Sequence, residues 1–295
     1  MTPNPVIAEP IAVEVILADW PIRLLVNRKY LPFLKENGLL QGDALLNLSN
    51  HSLVKKHYHR GVCDRIVDRI LLGNHKIKAY RKICRSPCLS RSIKYWLEGA
   101  RNIPCRNWTA NLNLAAAGIP VAAPIALIEK RTGPFASESA LLTAELSGYL
   151  PLSRLLYQAY LENRPQAFTQ LKRKVADALT RLLCQLIQAQ IVNPTLSSKH
   201  IFLTQNNAAL DYVLIDVGRC RLLNRLKPRH LVKPLSVLHR SIPLNLFSSA
   251  ERLRLFKRVF DGKIPPRKHK RFIKRIVRRA RRRGFKNISS FEYSG

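Results

Sequence analysis

A carboxylate stands within the apolar segment "YVLIDVGRCRLL", which runs from Tyr212 to Leu223. Asp216 has apolar neighbours on both sides, so the segment predicts a buried strand around it. A buried carboxylate without a partner is costly, which favours either a functional role or an ion pair. In a functional role its oxygens would hold a hard cation such as Mg²⁺. A salt bridge with Arg219 or Arg221 is the structural alternative.

A second group of polar side chains lies in "IVNPTLSSKHIFL", from Ile191 to Leu203. Thr195 can form hydrogen bonds, but its hydroxyl does not act as a proton acceptor near neutral pH. His200 offers an imidazole, which suits softer metal ions better than it suits Mg²⁺. Apolar residues along the segment indicate a loop anchored in the core. The loop therefore carries polar residues at regular positions but no carboxylate.

The chain is strongly basic, with 51 Lys and Arg against 18 Asp and Glu among 295 residues, a formal net charge of +33. This imbalance exceeds what solubility requires and predicts an anionic partner. Nucleic acid, a phosphorylated glycolipid and an acidic membrane surface all satisfy the charge. No motif for base recognition occurs, so sequence-specific nucleic acid is not expected as a partner.

Much of the positive charge lies in the C-terminal segment "GKIPPRKHKRFIKRIVRRARRRGFK". Its apolar residues form a narrow stripe, so the segment predicts a basic helix that inserts shallowly into an anionic membrane. Packing of the stripe on the protein's own domain is the alternative. The candidate anion-binding residues are Arg219, Arg221, Arg275, Arg278, Arg279 and Arg282.

The N-terminal "MTPNPVIAEP" lacks a basic region, and acidic residues interrupt the apolar run that follows. The least polar stretch, "LNLAAAGIPVAAPIALI", contains glycine and proline and is shorter than a membrane span. We therefore expect a cytoplasmic protein that is peripheral at the inner face of the bacterial inner membrane. Six cysteines are too few for a disulfide framework in a chain of this length.

The secondary structure that positions these residues is predicted to change along the chain, from strands to helices. "DRIVDRILLGNHKIKAYRK" predicts two strands joined by a turn at Gly73 and Asn74. "QAFTQLKRKVADALTRLLCQLIQAQ" has apolar residues at helical spacing and predicts a helix buried on one face. Strands followed by helices indicate an α+β fold with two lobes. The predicted boundaries are an extension at 1–50, an N-lobe at 51–148, a C-lobe at 149–262 and a basic tail at 263–295.

The order of several short motifs resembles the lipopolysaccharide core kinase family, the Kdo kinase, WaaP and InaA group. "HKIKAYRK" is similar to the strand that carries the family's lysine, "GIPVAAP" to the turn after its helix, and "LIDVGRCRLL" to its metal-binding strand. "AELSGYLPLSRLL" resembles the segment between two kinase lobes. The resemblance covers about residues 50–260 and implies a protein-kinase-like fold, with the basic tail outside it.

The resemblance also implies roles for individual residues. Lys78 takes the place of the lysine that neutralises ATP phosphates, and Asp216 that of the metal-binding aspartate. Three positions depart from the protein-kinase pattern. Asn107 replaces the helix glutamate, Thr195 the catalytic aspartate, and His200 the second metal ligand. Glu98 could substitute for the glutamate, although an exposed salt bridge with a nearby cation is the favoured role for it. The loop over the nucleotide has the single glycine Gly61.

These departures predict an impaired kinase, a pseudokinase, with weak or absent binding of ATP and Mg²⁺. Its expected setting is lipopolysaccharide core biosynthesis or envelope stress. Its expected partners are the lipopolysaccharide core or another anionic glycolipid, an anionic membrane surface, or an active kinase. Two alternatives stay open: an active ATP-dependent kinase for heptose or Kdo, and a non-specific nucleic-acid-binding protein.

Overall fold

The computed structural model divides the chain into two units, residues 1–147 and 148–295, and each is described here by itself. The described residues are 5–17, 21–48, 51–59, 62–72, 77–85, 103–131, 137–206, 209–261 and 265–285.

The N-terminal unit is built on an antiparallel sheet of seven strands, in the order β2-β3-β8-β9-β6-β5-β4. Strand β1 pairs with β7 in a short antiparallel ladder. The strands are β1 Val6–Ile7, β2 Val13–Leu17, β3 Ile22–Asn27, β4 His51–His59, β5 Val62–Leu72, β6 Ile77–Arg85, β7 Val121–Ala122, β8 Pro124–Arg131 and β9 Ser137–Ala144.

The register between β5 and β6 corrects the predicted turn. A two-residue turn at Gly73 and Asn74 would pair Leu72 with His75, but the structure pairs Leu72 with Ile77. Four residues therefore connect the strands, and they lie outside the described part of the chain. Because the shift is an even number of residues, the same side chains still face the core.

The described part of this unit contains two α-helices, α1 at Leu31–Glu36 and α2 at Ile103–Ala116. Helix α2 lies against β6, β8 and β9. Its Cys105 and Trp108 pack in one core cluster with apolar residues of the sheet. The helix ends before Gly118, whose φ of 70° is a conformation that glycine adopts without steric strain.

A buried ion pair crosses β5 and β6. Asp68 and Arg81 are directly opposite each other and are only 1% and 3% exposed. The Arg81 guanidinium donates to both Asp68 oxygens, at 3.1 and 2.7 Å. It also donates to the carbonyl oxygens of Leu45, Leu46 and Leu48. This arginine therefore joins the segment after α1 to the sheet.

The C-terminal unit is mainly helical. Its strands are β10 Leu150–Pro151, β11 Ile191–Val192, β12 Ile201–Asn206, β13 Ala209–Leu214 and β14 Arg221–Leu222. Its helices are α3 Leu152–Leu161, α4 Pro165–Gln188, α5 Pro228–Ser241, α6 Ser249–Phe260 and α7 Pro266–Arg281.

The longest helix, α4, confirms the spacing of its apolar residues. Val175, Leu179, Leu182 and Leu186 lie on its buried face, and the helix packs against α3, α6 and β13. Helix α6 begins with a capping box, in which Ser248 Oγ accepts from the backbone N–H of Glu251 and the Glu251 carboxylate accepts from that of Ser248. This pairing satisfies two backbone donors that would otherwise be free.

The α+β prediction, strand-rich first and helix-rich second, is confirmed. Among the described helices, none has an apolar stretch long enough to span a membrane.

Candidate functional site

The polar loop between β11 and β12 is held by its own asparagine. Asn193 is buried, and its Oδ1 accepts from the backbone N–H of Thr195 at 3.0 Å and from the Thr195 hydroxyl at 2.9 Å. The Nδ2 of Asn193 is also buried and has no hydrogen-bond partner. The Thr195 hydroxyl is thus used to close a local turn.

The next part of the loop is anchored to the end of α5. The backbone N–H of Ser198 donates to Ser241 Oγ at 2.9 Å, and Ser198 Oγ donates to the Ser241 carbonyl at 2.8 Å. Before the loop, β11 pairs with β14, which follows Asp216 in the chain. These contacts hold the loop and the segment that contains Asp216 in fixed positions relative to each other.

The side chains of Asp216 and His200 lie close to each other. The Nε2 of His200 is 3.8 Å from Oδ2 of Asp216. The aspartate side chain is 48% exposed, and its backbone has a φ of 52°, which Asp tolerates better than most residues. Arg219 and Arg221 are exposed.

A thiol close to Asp216 is chemically inert. Burial, and then the charge of Asp216, raise the pKa of Cys220 to about 12. The thiol is therefore protonated at neutral pH and is not a thiolate ligand. Within the described residues, no group of three or more His, Cys, Asp or Glu side chains is placed to share a metal ion.

This donor set does not fit Mg²⁺. That ion prefers six oxygen ligands in nearly octahedral geometry, and carboxylates are its usual protein ligands. The described residues supply one carboxylate and an imidazole nitrogen. Oxygen ligands beyond Asp216 would have to come from a bound molecule or from water.

In the N-terminal unit, Lys78 lies on β6 with an exposed side chain. Its carbonyl oxygen accepts from the backbone N–H of Glu145 at 2.9 Å. The Glu145 carboxylate binds Arg69 with two hydrogen bonds, of 2.7 and 3.0 Å. This carboxylate is therefore engaged with the arginine.

Asn107 lies on α2 and is only 3% exposed. Within the described residues, neither its Nδ2 nor its Oδ1 has a hydrogen-bond partner. A buried amide without partners costs about 1–3 kcal/mol. Glu98, the proposed substitute, and Gly61 of the nucleotide-covering loop lie outside the described residues.

Helix α7 carries nine Lys and Arg among its sixteen residues and no acidic residue. Its stripe is packed inside the unit: Phe272, Ile276 and Ala280 are buried. The Phe272 ring contacts two aromatic rings of α6, and the helix packs on α5. The structure thus favours the packing alternative, and the expected insertion of these residues into a membrane is wrong.

The charged side of α7 is available to a partner. Arg275, Arg278 and Arg282 are exposed, and Arg279 is half-buried. No ion pair to the Lys and Arg side chains of α7 occurs within the described residues. The helix is therefore a compact source of positive potential.

An apolar cavity of about 340 Å³ lies among α4, α5, α6 and α7. Four polar side chains also line it, His239, Ser249, Arg252 and Arg281. Burial, then Arg252 and Arg281, lower the pKa of His239 to about 4, so it is neutral at neutral pH. Burial lowers the pKa of Arg252 to about 10, and this guanidinium donates to carbonyls at the end of α5. Sequence reasoning missed this cavity because its lining comes from segments far apart in the chain.

Comparison with protein-family models decides the family. Residues 49–259 match the model described as the lipopolysaccharide kinase (Kdo/WaaP) family. The chain belongs to this family. A comparison with curated protein sequences found no significant match. The predicted resemblance, based on motif order, is thereby confirmed.

A solved structure supports the kinase-like fold of this lipopolysaccharide kinase family member. The structure, "WaaP in complex with acyl carrier protein", matches with a TM-score of 0.65 at 19% sequence identity. The match covers 88% of this chain and 98% of the WaaP chain. At this identity the likeness establishes the fold, and the roles of individual residues stay predictions.

Proposed function

We propose that this family member is a pseudokinase of the lipopolysaccharide core pathway or of the envelope stress response. In this proposal it binds a phosphorylated glycolipid at the inner face of the bacterial inner membrane and transfers phosphate poorly or not at all. The observation that supports this proposal is in the loop at Thr195, the position that the family resemblance assigns to the catalytic carboxylate. The Thr195 hydroxyl there donates a hydrogen bond to Asn193.

Phosphoryl transfer depends on positioning and on charge stabilisation, so one lost group does not abolish it. Here three groups differ together. Thr195 offers no base, Asn107 offers no carboxylate to orient Lys78, and His200 replaces an oxygen ligand with nitrogen. Lys78 and Asp216 alone can attract phosphates and a cation, which supports residual binding more than catalysis.

Nucleotide binding is the first test. We expect the protein to bind Mg²⁺-ATP with a Kd above about 1 mM, which is less than about 4 kcal/mol of binding free energy. Mg²⁺ should improve ATP binding little, because the described donor set does not fit that ion. Isothermal titration with ATP, with and without Mg²⁺, measures both quantities on the full chain.

Asp216→Ala and Lys78→Met provide the control. Both side chains are exposed, so these variants should keep the parent's thermal melt. A Kd in the low micromolar range that weakens sharply in Asp216→Ala would favour the alternative, an active kinase for heptose or Kdo. Transfer of the γ-phosphate to a lipopolysaccharide core acceptor would establish that alternative.

The positive face of α7 supports the membrane part of the proposal. Replacing Arg271, Arg275 and Arg278 together by glutamine should weaken binding to phosphatidylglycerol vesicles by about 100-fold at low salt. Each basic residue near an anionic surface contributes about 1 kcal/mol. All three side chains are exposed, so the fold should be unaffected. Vesicle sedimentation at increasing salt measures the loss.

A matched control removes three exposed arginines elsewhere in the same unit, Arg154, Arg164 and Arg173. Equal losses in both triple variants would show that net charge, and not α7, drives binding. Tighter binding to duplex DNA than to vesicles would favour the nucleic-acid alternative. Vesicles that contain lipopolysaccharide test whether a phosphorylated glycolipid is preferred.

The apolar cavity favours a second candidate partner. The matching WaaP structure is described as a complex with acyl carrier protein. In this protein, a cavity of about 340 Å³ next to a basic helix would accept an acyl chain. In the vesicle experiment, an acylated carrier that competes where the unacylated carrier does not would identify this partner.

A further inference from the structure

A groove of about 350 Å³ lies in the C-terminal unit, between the end of α4 and the start of α5. Its polar side chains are Gln188, Gln190, Arg225 and Lys227. None of the residues that the family resemblance assigns to the kinase site lines it. The groove is therefore a separate feature of the molecule, and neither the nucleotide position nor the catalytic loop accounts for it.

Gln190 connects the parts of the chain that form the groove. It follows α4 with a φ of 55°, and its carbonyl oxygen accepts from the backbone N–H of Leu223 at 3.1 Å. Its Oε1 accepts from the backbone N–H of Leu226 at 3.2 Å. Because Oε1 is used in this way, the Nε2 of this amide remains as a donor. The segment that carries Arg225 and Lys227 is thus attached to the end of α4, and the lining is preorganised for a ligand.

Two cations give the groove its charge. Arg225 and Lys227 are exposed, and neither forms an ion pair within the described residues. Between Asp216 and Glu251 the chain has seven Lys and Arg residues and no acidic residue. Lysine and arginine form strong, charge-assisted hydrogen bonds with phosphate, and arginine can donate two of them in parallel. The groove therefore favours an anionic ligand.

The rest of the lining distinguishes a sugar from a bare anion. Leu226, Leu231 and Phe260 give the groove an apolar surface, and covering it with the C–H groups of a sugar ring removes both from water. The amides of Gln188 and Gln190 suit the hydroxyl groups of the sugar, because amides donate and accept. A groove of this volume, with apolar walls and a few polar groups, has the composition of a small-molecule site.

We propose that this groove binds a saccharide of one or two rings that carries a phosphate group. The phosphate contacts the two cations, and the ring lies on the apolar surface beside the amides. The inference deepens the proposed function and rests on it in one respect, that the bound sugar belongs to a phosphorylated glycolipid. It does not depend on whether the kinase site is active.

Glucose 6-phosphate is the probe, and isothermal titration of the full chain without nucleotide measures its Kd. It should bind at least about tenfold more tightly than inorganic phosphate or glucose, because it alone uses both parts of the groove. Arg225→Gln with Lys227→Gln should weaken its binding at least about tenfold, since charge-assisted hydrogen bonds are lost. Gln188→Ala should weaken binding of glucose 6-phosphate and leave that of inorganic phosphate unchanged.

Arg229→Gln with Lys233→Gln is the matched control. Both side chains are exposed on α5, neither lines the groove, and the change in net charge is the same. This variant should bind glucose 6-phosphate like the parent. An equal loss in the two double variants would show that net charge drives binding and would overturn the groove proposal. Inorganic phosphate that binds as tightly as glucose 6-phosphate also overturns it. If the parent binds glucose 6-phosphate as expected but does not bind vesicles, the membrane part of the proposed function fails and the groove proposal stands.

Discussion

Replacing Asp68 by alanine is expected to destabilise the N-terminal unit by about 3–5 kcal/mol. The substitution leaves Arg81 buried at 3% exposure with its charge unpaired. The arginine keeps its bonds to three carbonyl groups, but those groups carry no formal charge. Its guanidinium would have to be desolvated without a counter-ion. All three tryptophans lie in residues 1–147, so tryptophan fluorescence during urea unfolding reports this unit alone.

The same sheet contains a matched control. Arg85 and Glu138 are also directly opposite each other, on β6 and β9, but their side chains are 56% and 22% exposed. Glu138→Ala should cost no more than about 1 kcal/mol because solvent screens that pair. A loss in Asp68→Ala as small as that in Glu138→Ala would mean that water reaches Arg81. Asp68→Leu with Arg81→Met should recover part of the stability, because no charge is then buried.

The sequence carried part of this information. Asp68 alternates with Ile66 and Ile70 along β5, so the period of two already places a carboxylate on the core face. Which residue lies opposite Asp68 depends on the register between β5 and β6. The predicted turn at Gly73 and Asn74 would place Ala79 opposite Asp68, and the observed pairing places Arg81 there. Register depends on the whole sheet and on loop length, which a turn dipeptide alone does not determine.

Elements with a strong local signal were predicted well. The prediction of helix α4 depends on neighbouring residues, and it is confirmed. The apolar stripe of α7 was also predicted. We expected it to insert into a membrane, whereas it packs inside the C-terminal unit. An apolar stripe has the same spacing whether it faces lipid or a neighbouring helix, and the aromatic partners on α6 decide between them. The cavity beside α7 is formed by the packing of several helices, so a local sequence pattern does not predict it.

In the candidate site too, some features were predicted from the sequence and others depend on tertiary contacts. Motif order pointed to Asp216 and His200 as one cation position, and the structure places their side chains 3.8 Å apart. The turn closed by Asn193 required three-dimensional contacts. The roles of Lys78 and Asn107 remain predictions from the family pattern, because burial and hydrogen bonding alone do not assign a catalytic role.

Restoring the family pattern should produce the largest gain in activity. The variant combines Thr195→Asp, Asn107→Glu and His200→Asn. A general base contributes about 10²–10⁴-fold to the rate, so we expect phosphoryl transfer from ATP to a lipopolysaccharide core acceptor to rise by at least about 100-fold. Transfer of labelled γ-phosphate measures this rate, and isothermal titration measures ATP affinity.

Each substitution has a separate expected effect. Asn107→Glu places a carboxylate at a buried position, which is costly unless a cation pairs with it. If Lys78 reaches it, Asn107→Glu should melt at a higher temperature in the parent background than with Lys78→Met. Asn107→Gln is the neutral control. His200→Asn should raise affinity for Mg²⁺-ATP, because an amide oxygen is a harder ligand than imidazole.

Thr195→Asn is the decisive control for the base, because asparagine matches aspartate in shape but accepts no proton. With Asn107→Glu and His200→Asn present, the Thr195→Asn and Thr195→Asp variants should bind Mg²⁺-ATP equally. Only Thr195→Asp should transfer phosphate faster. The new carboxylate could be accommodated because Asn193 has a buried Nδ2 without a partner among the described residues, which can donate to it. Equal rates in the two variants would show that position 195 is not the place of the base. No gain in affinity or rate, with an unchanged melt, would show that the loop does not correspond to a kinase catalytic loop.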